Sequence, residues 1–133
     1  MRFLSIYKAA ETGIPPTTEH IAKMEKLIEE SMKSGELIAT EGCLPTAKGA
    51  RVRRAGGKVT VTDGPFTEAK EVVAGFALLE APSKEAAIEM TRRFLDIAGD
   101  GECELRQIFE APATGAQTSG ERAAALRDQF ASR

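Results

Sequence analysis

Apolar and polar residues alternate or cluster along this chain in a way that marks out its elements. From Arg2 to Lys8, Phe3, Leu4, Ile6 and Tyr7 fill a strand's length before the Gly13-Ile14-Pro15-Pro16 stretch, which a helix does not cross. Past the prolines, Thr17 or Thr18 can cap a helix, Glu19 suits its first turn, and Ile21, Met24, Leu27, Ile28 and Met32 recur at helical spacing as far as Gly35. Such a helix has one apolar stripe with which to pack on a sheet. Glu36 to Gly42 reads as a second strand, stopped by Gly42 and Pro45.

Two short segments, Arg51 to Ala55 and Lys58 to Thr62, flank Gly56-Gly57, a pair able to take the positive φ angles of a two-residue hairpin turn. That turn sets Val52 opposite Val61 and Arg54 opposite Val59, so one face of the hairpin is mostly apolar and the other basic. Glu71 to Glu80 is apolar at both alternating sets of positions, the pattern of a strand covered on both sides. Ser83 is a predicted N-cap for a second amphipathic helix, with Ala87, Met90, Phe94 and Ile97 on its stripe and its end at Gly99. Cys103, Leu105, Gln107 and Phe109 then alternate with their neighbours as a half-buried last strand.

Two strand–helix–strand units separated by a hairpin predict an α+β chain with a ferredoxin-like βαβ(ββ)βαβ order, an antiparallel sheet and both helices on one face. The uncovered sheet face would expose part of Val72 to Leu79, and the expectation is a homodimer joined through sheet faces in a dimeric α/β-barrel-like assembly. Residues 1–111 read as that domain, 112–120 as a Pro-, Ala-, Thr-, Gly- and Ser-containing linker, and 121–133 as a C-terminal helix with Ala123, Leu126 and Phe130 on one stripe. A helix this short is marginal alone, so it is expected to dock on its own dimer.

Composition narrows the function classes. The formal charge is −2, with 18 basic and 20 acidic residues interspersed, and no Trp is present, so neither a nucleic-acid nor an anionic-membrane footprint is seen. No apolar run approaches the roughly 20 residues of a membrane span, and the N-terminal segment is too short for a signal peptide's apolar region, so the expected location is cytoplasmic. Cys43 and Cys103 lack CxxC spacing and read as buried free thiols, while one histidine, His20, cannot build a multi-histidine metal site. No metal or cofactor is expected, and there is no Walker, GxGxxG or GxSxG element.

The most distinctive stretch follows the hairpin: Val61-Thr62-Asp63-Gly64-Pro65-Phe66-Thr67-Glu68-Ala69-Lys70-Glu71. It resembles the signature of the DGPF proteins, a branch of the YCII-related family. Supporting matches are Met1-Arg2-Phe3-Leu4, Gly35-Glu36-Leu37, Glu41-Gly42, Gly75-Phe76 and Glu104-Leu105-Arg106, so the resemblance covers roughly residues 1 to 110 and leaves the tail outside. It implies a ferredoxin-like fold and dimers with clefts near the subunit interface. It implies no single reaction: some relatives are encoded beside extracytoplasmic-function sigma factors, and a few are linked to ring-cleavage catabolism or dehalogenation.

The resemblance extends to His20-Ile21-Ala22-Lys23-Met24, similar to a helix start at which a histidine has been proposed to act with an aspartate. Here the end of that helix, Ser31-Met32-Lys33-Ser34-Gly35, lacks the aspartate some relatives carry. His20, Met24, Leu27 and Ser31 share a stripe at the flank of the buried face, which places the imidazole at an edge with access to a cleft. Asp63 can serve as a carboxylate partner or hold an Asx-type turn, and His20 as a base or an interface residue. Ser5, Tyr7, Glu41, Phe66 and Lys70 are the ligand-binding candidates, for a small cyclic or carbonyl-containing organic compound in a cleft near His20 and the Asp63 loop. The alternative is a non-enzymatic regulatory or interaction module working with a sigma factor.

Overall fold

Strand β1 (Arg2–Ala9) runs through the sheet with β5 (Val72–Glu80) on one side and β6 (Glu102–Gln107) on the other, and β2 (Leu37–Gly42) forms the far edge beyond β5. All three pairings are antiparallel, giving the order β2-β5-β1-β6. Helix α1 (Thr18–Ser34) connects β1 to β2 and helix α2 (Lys84–Ala98) connects β5 to β6. This α+β arrangement is compatible with the ferredoxin-like fold. The structure is a computed structural model that describes residues 1–111 and 115–131.

The caps fall where the sequence places them. Thr17 accepts a hydrogen bond from the His20 N–H at 3.1 Å and Ser83 one from Ala86 at 3.1 Å, each relieving a first-turn amide that has no partner inside its helix. Gly35 closes α1, donating to the Met32 carbonyl at 3.2 Å. The outer side of α1 carries Glu19–Lys23 and Glu29–Lys33 pairs at 3.1 and 3.0 Å, the charge spacing of a solvated face.

Register decides which side chains meet the helices. Phe3 lies opposite Leu79 and Gln107, Ser5 opposite Ala77 and Leu105, and Tyr7 opposite Gly75 and Cys103, so these positions share the helix-covered side. Phe3, Leu37, Leu79, Ala81 and Ala87 form the buried core, with Ile28, Ala86 and Met90 packed around it. The intervening positions Leu4, Ile6, Phe76 and Leu78 face away, and Phe76 is 39% and Val73 50% exposed. The double-sided apolar pattern of β5 therefore has only one cover within a single chain. A register shift between Tyr7 and Lys8 inserts Ala74 as an extra residue.

The hairpin of β3 (Ala50–Ala55) and β4 (Lys58–Asp63) forms a separate two-stranded sheet. Its register is the predicted one, Val52 opposite Val61 and Arg54 opposite Val59, with Gly56 and Gly57 at φ 57° and 80° in the turn. Its apolar side is open, with Val52 71% and Val61 64% exposed. A short 3-10 turn, Thr46–Lys48, precedes it.

Several expectations need correction. Cys43 is exposed, because β2 ends before it, and only Cys103 is partly buried. Strand β6 stops at Gln107, where pairing with β1 ends, and Phe109 is 91% exposed. Ile21 and Met32 lie exposed on α1, which has no fully buried residue. The C-terminal helix α3 spans Ser119–Ala131, opened by a reciprocal pair in which Thr118 N–H donates to Glu121 at 2.9 Å and Glu121 N–H to the Thr118 hydroxyl at 3.1 Å. Within it Ala124 and Leu126 are half-buried and Ala123 is exposed. The predicted linker's residues 112–114 and the predicted helix's residues 132–133 lie outside the described residues.

Replacing Ser83 by Ala removes the cap of α2, the helix that supplies Ala87 to the core. The expected cost is about 1 kcal/mol of unfolding free energy, read from the midpoint of a urea titration at unchanged slope. An unshifted midpoint would refute the assignment.

Candidate functional site

Toward the Tyr7 end of the sheet the helix-facing positions turn small. Ser5, Thr40, Gly42, Gly75 and Ala77 stand where larger side chains would fill the space beneath the helices. Above them Met24, Leu27 and Ile28 of α1 and Met90 and Phe94 of α2 form an apolar roof. The result is a hollow of about 330 Å³ between the helix layer and the sheet. That lies at the small end of the roughly 300–1,000 Å³ usual for small-molecule sites. The same hollow explains why α1 buries nothing completely.

The polar atoms around the hollow are mostly engaged. The Thr40 hydroxyl donates to the Phe76 carbonyl at 2.9 Å and that of Thr91 to the Ala87 carbonyl at 2.8 Å. Tyr7 donates to the Asp100 carbonyl at 3.2 Å, and its ring meets Phe94 edge-on with centroids 5.2 Å apart. Burial pushes the Tyr7 hydroxyl above the ordinary tyrosine range, with Cys103, Glu71 and Asp100 adding to the effect. Burial likewise raises the Cys103 thiol, partly offset by its hydrogen bond with Ser5. Both groups therefore hold their protons at neutral pH. The lining includes one ion pair, Glu36 with Arg93 at 2.9 Å; Glu41 stands opposite Phe76, so it borders the hollow with its main chain while its side chain belongs to the other sheet face.

Of the residues singled out from the sequence, Ser5, Tyr7 and Glu41 line the hollow. His20 is half-buried in the first turn of α1, one turn before Met24 on the anticipated stripe; Met24, Leu27 and Ser31 line the hollow and His20 does not. Asp63, Phe66 and Lys70 also lie outside the lining, so the hollow is not the predicted cleft beside the Asp63 loop. His20 and Asp63 are not joined by a hydrogen bond among the described residues. Residues that sequence reasoning passed over, Thr40, Thr91 and Phe94, complete the walls. The available signal was the run of small residues at alternating strand positions.

The Asp63–Phe66 loop is held by other means. Asp63 ends β4 opposite Ala50 and is exposed, and Gly64 N–H donates to the Gly49 carbonyl at 3.0 Å. Phe66 N–H donates to the Thr46 hydroxyl at 3.1 Å, and that hydroxyl donates to Glu11 at 2.7 Å. Glu11 also accepts from the Thr46 N–H at 2.6 Å, and these bonds hold its carboxyl below the usual range. The Arg51 guanidinium lies 3.8 Å above the Phe66 ring and pairs with Glu68, so Phe66 is half-covered. Lys70 is exposed. The bonds that fix the loop come from Glu11 and Thr46, which an Asx-type reading of Asp63 did not anticipate.

Gly64 is required by contact: a Cβ there would overlap the Thr46 carbonyl. Gly64→Ala is expected to lower stability by about 3 kcal/mol in urea unfolding, with the 3-10 turn and the loop displaced together. Wild-type stability in that variant would show the clasp to be incidental.

Among the described residues no group of three or more His, Cys, Asp or Glu side chains is placed to hold a metal, and no helix is long and apolar enough to cross a membrane. The family model of the YCII-related domain matches residues 1–112. Over 61 residues the chain is 34% identical to "Uncharacterized protein R00369" of Rhizobium meliloti (strain 1021), a match covering 46% of this chain and 49% of that protein. The chain thus spans about half the length of the curated relative it matches.

Proposed function

We propose that this chain, which belongs to the YCII-related family, binds a small, largely apolar molecule between its helices and sheet and works as a homodimer joined through its open sheet faces. Within that family we assign it to the DGPF branch on Asp63-Gly64-Pro65-Phe66. The carrying observation is the hollow of about 330 Å³ beside a buried apolar core of five among the described residues. An empty apolar space forfeits the dispersion contacts its walls would otherwise make, and a bound ligand restores them.

Binding is favoured over catalysis by the chemistry of the walls. Tyr7 in the lining and Cys103, its neighbour across the β1–β6 pair, keep their protons, so neither is poised as a base or nucleophile. His20 and Asp63 stand outside the lining. Ala77→Phe places a ring in the space that Ala77 leaves open. Toluene is expected to raise the melting temperature of the native chain and to leave that of Ala77→Phe unchanged. An equal response from both proteins, or none from the native chain, would defeat the reading.

The dimer rests on a different surface. Leu4, Ile6, Phe76 and Leu78 lie side by side on the sheet face that the helices leave uncovered, with Val73 beside them. A second copy of the same face is self-complementary in this apolar pattern. Sedimentation equilibrium is expected to return twice the chain mass, and Phe76→Glu to return a folded monomer by circular dichroism. A monomeric native protein at high concentration would end the proposal.

A further inference from the structure

We infer that the hollow selects uncharged ligands that donate a hydrogen bond, and excludes carboxylates; the inference rests on the binding reading above. Three lining hydroxyls, those of Tyr7, Thr40 and Thr91, have already committed their protons to main-chain carbonyls. A hydroxyl whose single proton is engaged retains only lone pairs, so it can accept from a ligand but not donate to one. Ser5 is turned to the Cys103 thiol, which leaves Ser31 as the exception among the lining hydroxyls of the described residues.

The charges point the same way. Arg93 is the one cation of the lining among the described residues, and it already pairs with Glu36 at 2.9 Å. An incoming carboxylate would therefore lose its water, meet acceptors it cannot satisfy, and face a guanidinium whose charge Glu36 already offsets. A neutral N–H or O–H on an apolar body meets none of these obstacles. The apolar body takes the place of the missing contacts beneath Met24, Leu27 and Phe94.

The 133-residue chain titrated calorimetrically with indole, with its donor-less isostere benzofuran and with the anion benzoate separates the terms. Indole is expected to bind about fivefold more tightly than benzofuran, the factor conferred by one net neutral hydrogen bond, and benzoate at least about tenfold more weakly than either. In a Thr40→Val, Thr91→Val double variant, which keeps the shape of both side chains, the preference for indole over benzofuran should vanish while benzofuran binding persists. Equal affinity of indole and benzofuran, tight binding of benzoate, or a preference that survives the double variant would each overturn the inference and leave the apolar site standing. If indole, benzofuran and toluene all fail to bind, the binding reading itself falls. The comparison among ligands on the native chain decides the matter even if the double variant does not fold.

Discussion

The register of β1 between β5 and β6 is the constraint from which the remaining features follow. With Phe3 opposite Leu79, Ser5 opposite Ala77 and Tyr7 opposite Gly75, one set of alternate residues is committed to the helices and the other to the opposite face. A slip by one position would send Leu4 and Ile6 under the helices and expose Phe3, the largest member of the core. Because the side-chain period of a strand is two, core, hollow and open face are set by a single pairing.

Along that register the helix side grades from filled to empty. Around Phe3, Leu37 and Leu79 the layers close on one another, whereas around Ser5, Thr40, Gly75 and Ala77 they do not. The helices are rigid rods held at one end by the core, so small residues at the other end leave a space that the roof cannot collapse to fill. Burial then acts on the groups in and beside its wall: Tyr7 and its cross-strand neighbour Cys103 are kept protonated, and the lining hydroxyls of Tyr7, Thr40 and Thr91 donate to nearby carbonyls. The hollow and the limited core are thus two results of one packing gradient.

Much of the fold was legible along the chain. The helices α1 and α2, the cap at Ser83, the cap of α1 at one of the two threonines read for it, and the hairpin register about Gly56-Gly57 are local consequences of dihedral preference and periodicity and stand in the structure, although Ile21 and Met32 at the ends of the α1 stripe are exposed. The site was legible only in part. Ser5 and Tyr7 could be placed together because they share a strand face, while Thr40, Thr91 and Phe94 come from other elements and join them only through layer packing. The Asp63 loop was conspicuous for its residues, yet its hydrogen bonds to Thr46, and those of Thr46 to Glu11, span gaps of sequence that no local pattern encodes.

What the sequence determined by itself was the set of elements, their order and the two-sided pattern of β5, because helical and strand periodicity are properties of neighbouring residues. What only the tertiary structure decided was which face of each strand is covered, that small residues from three strands coincide beneath the helices, and that the DGPF-like loop is clasped by Glu11 and Thr46. The reason is physical: a void and a long-range hydrogen bond depend on the relative placement of separate elements, and that placement is a property of the packed chain as a whole.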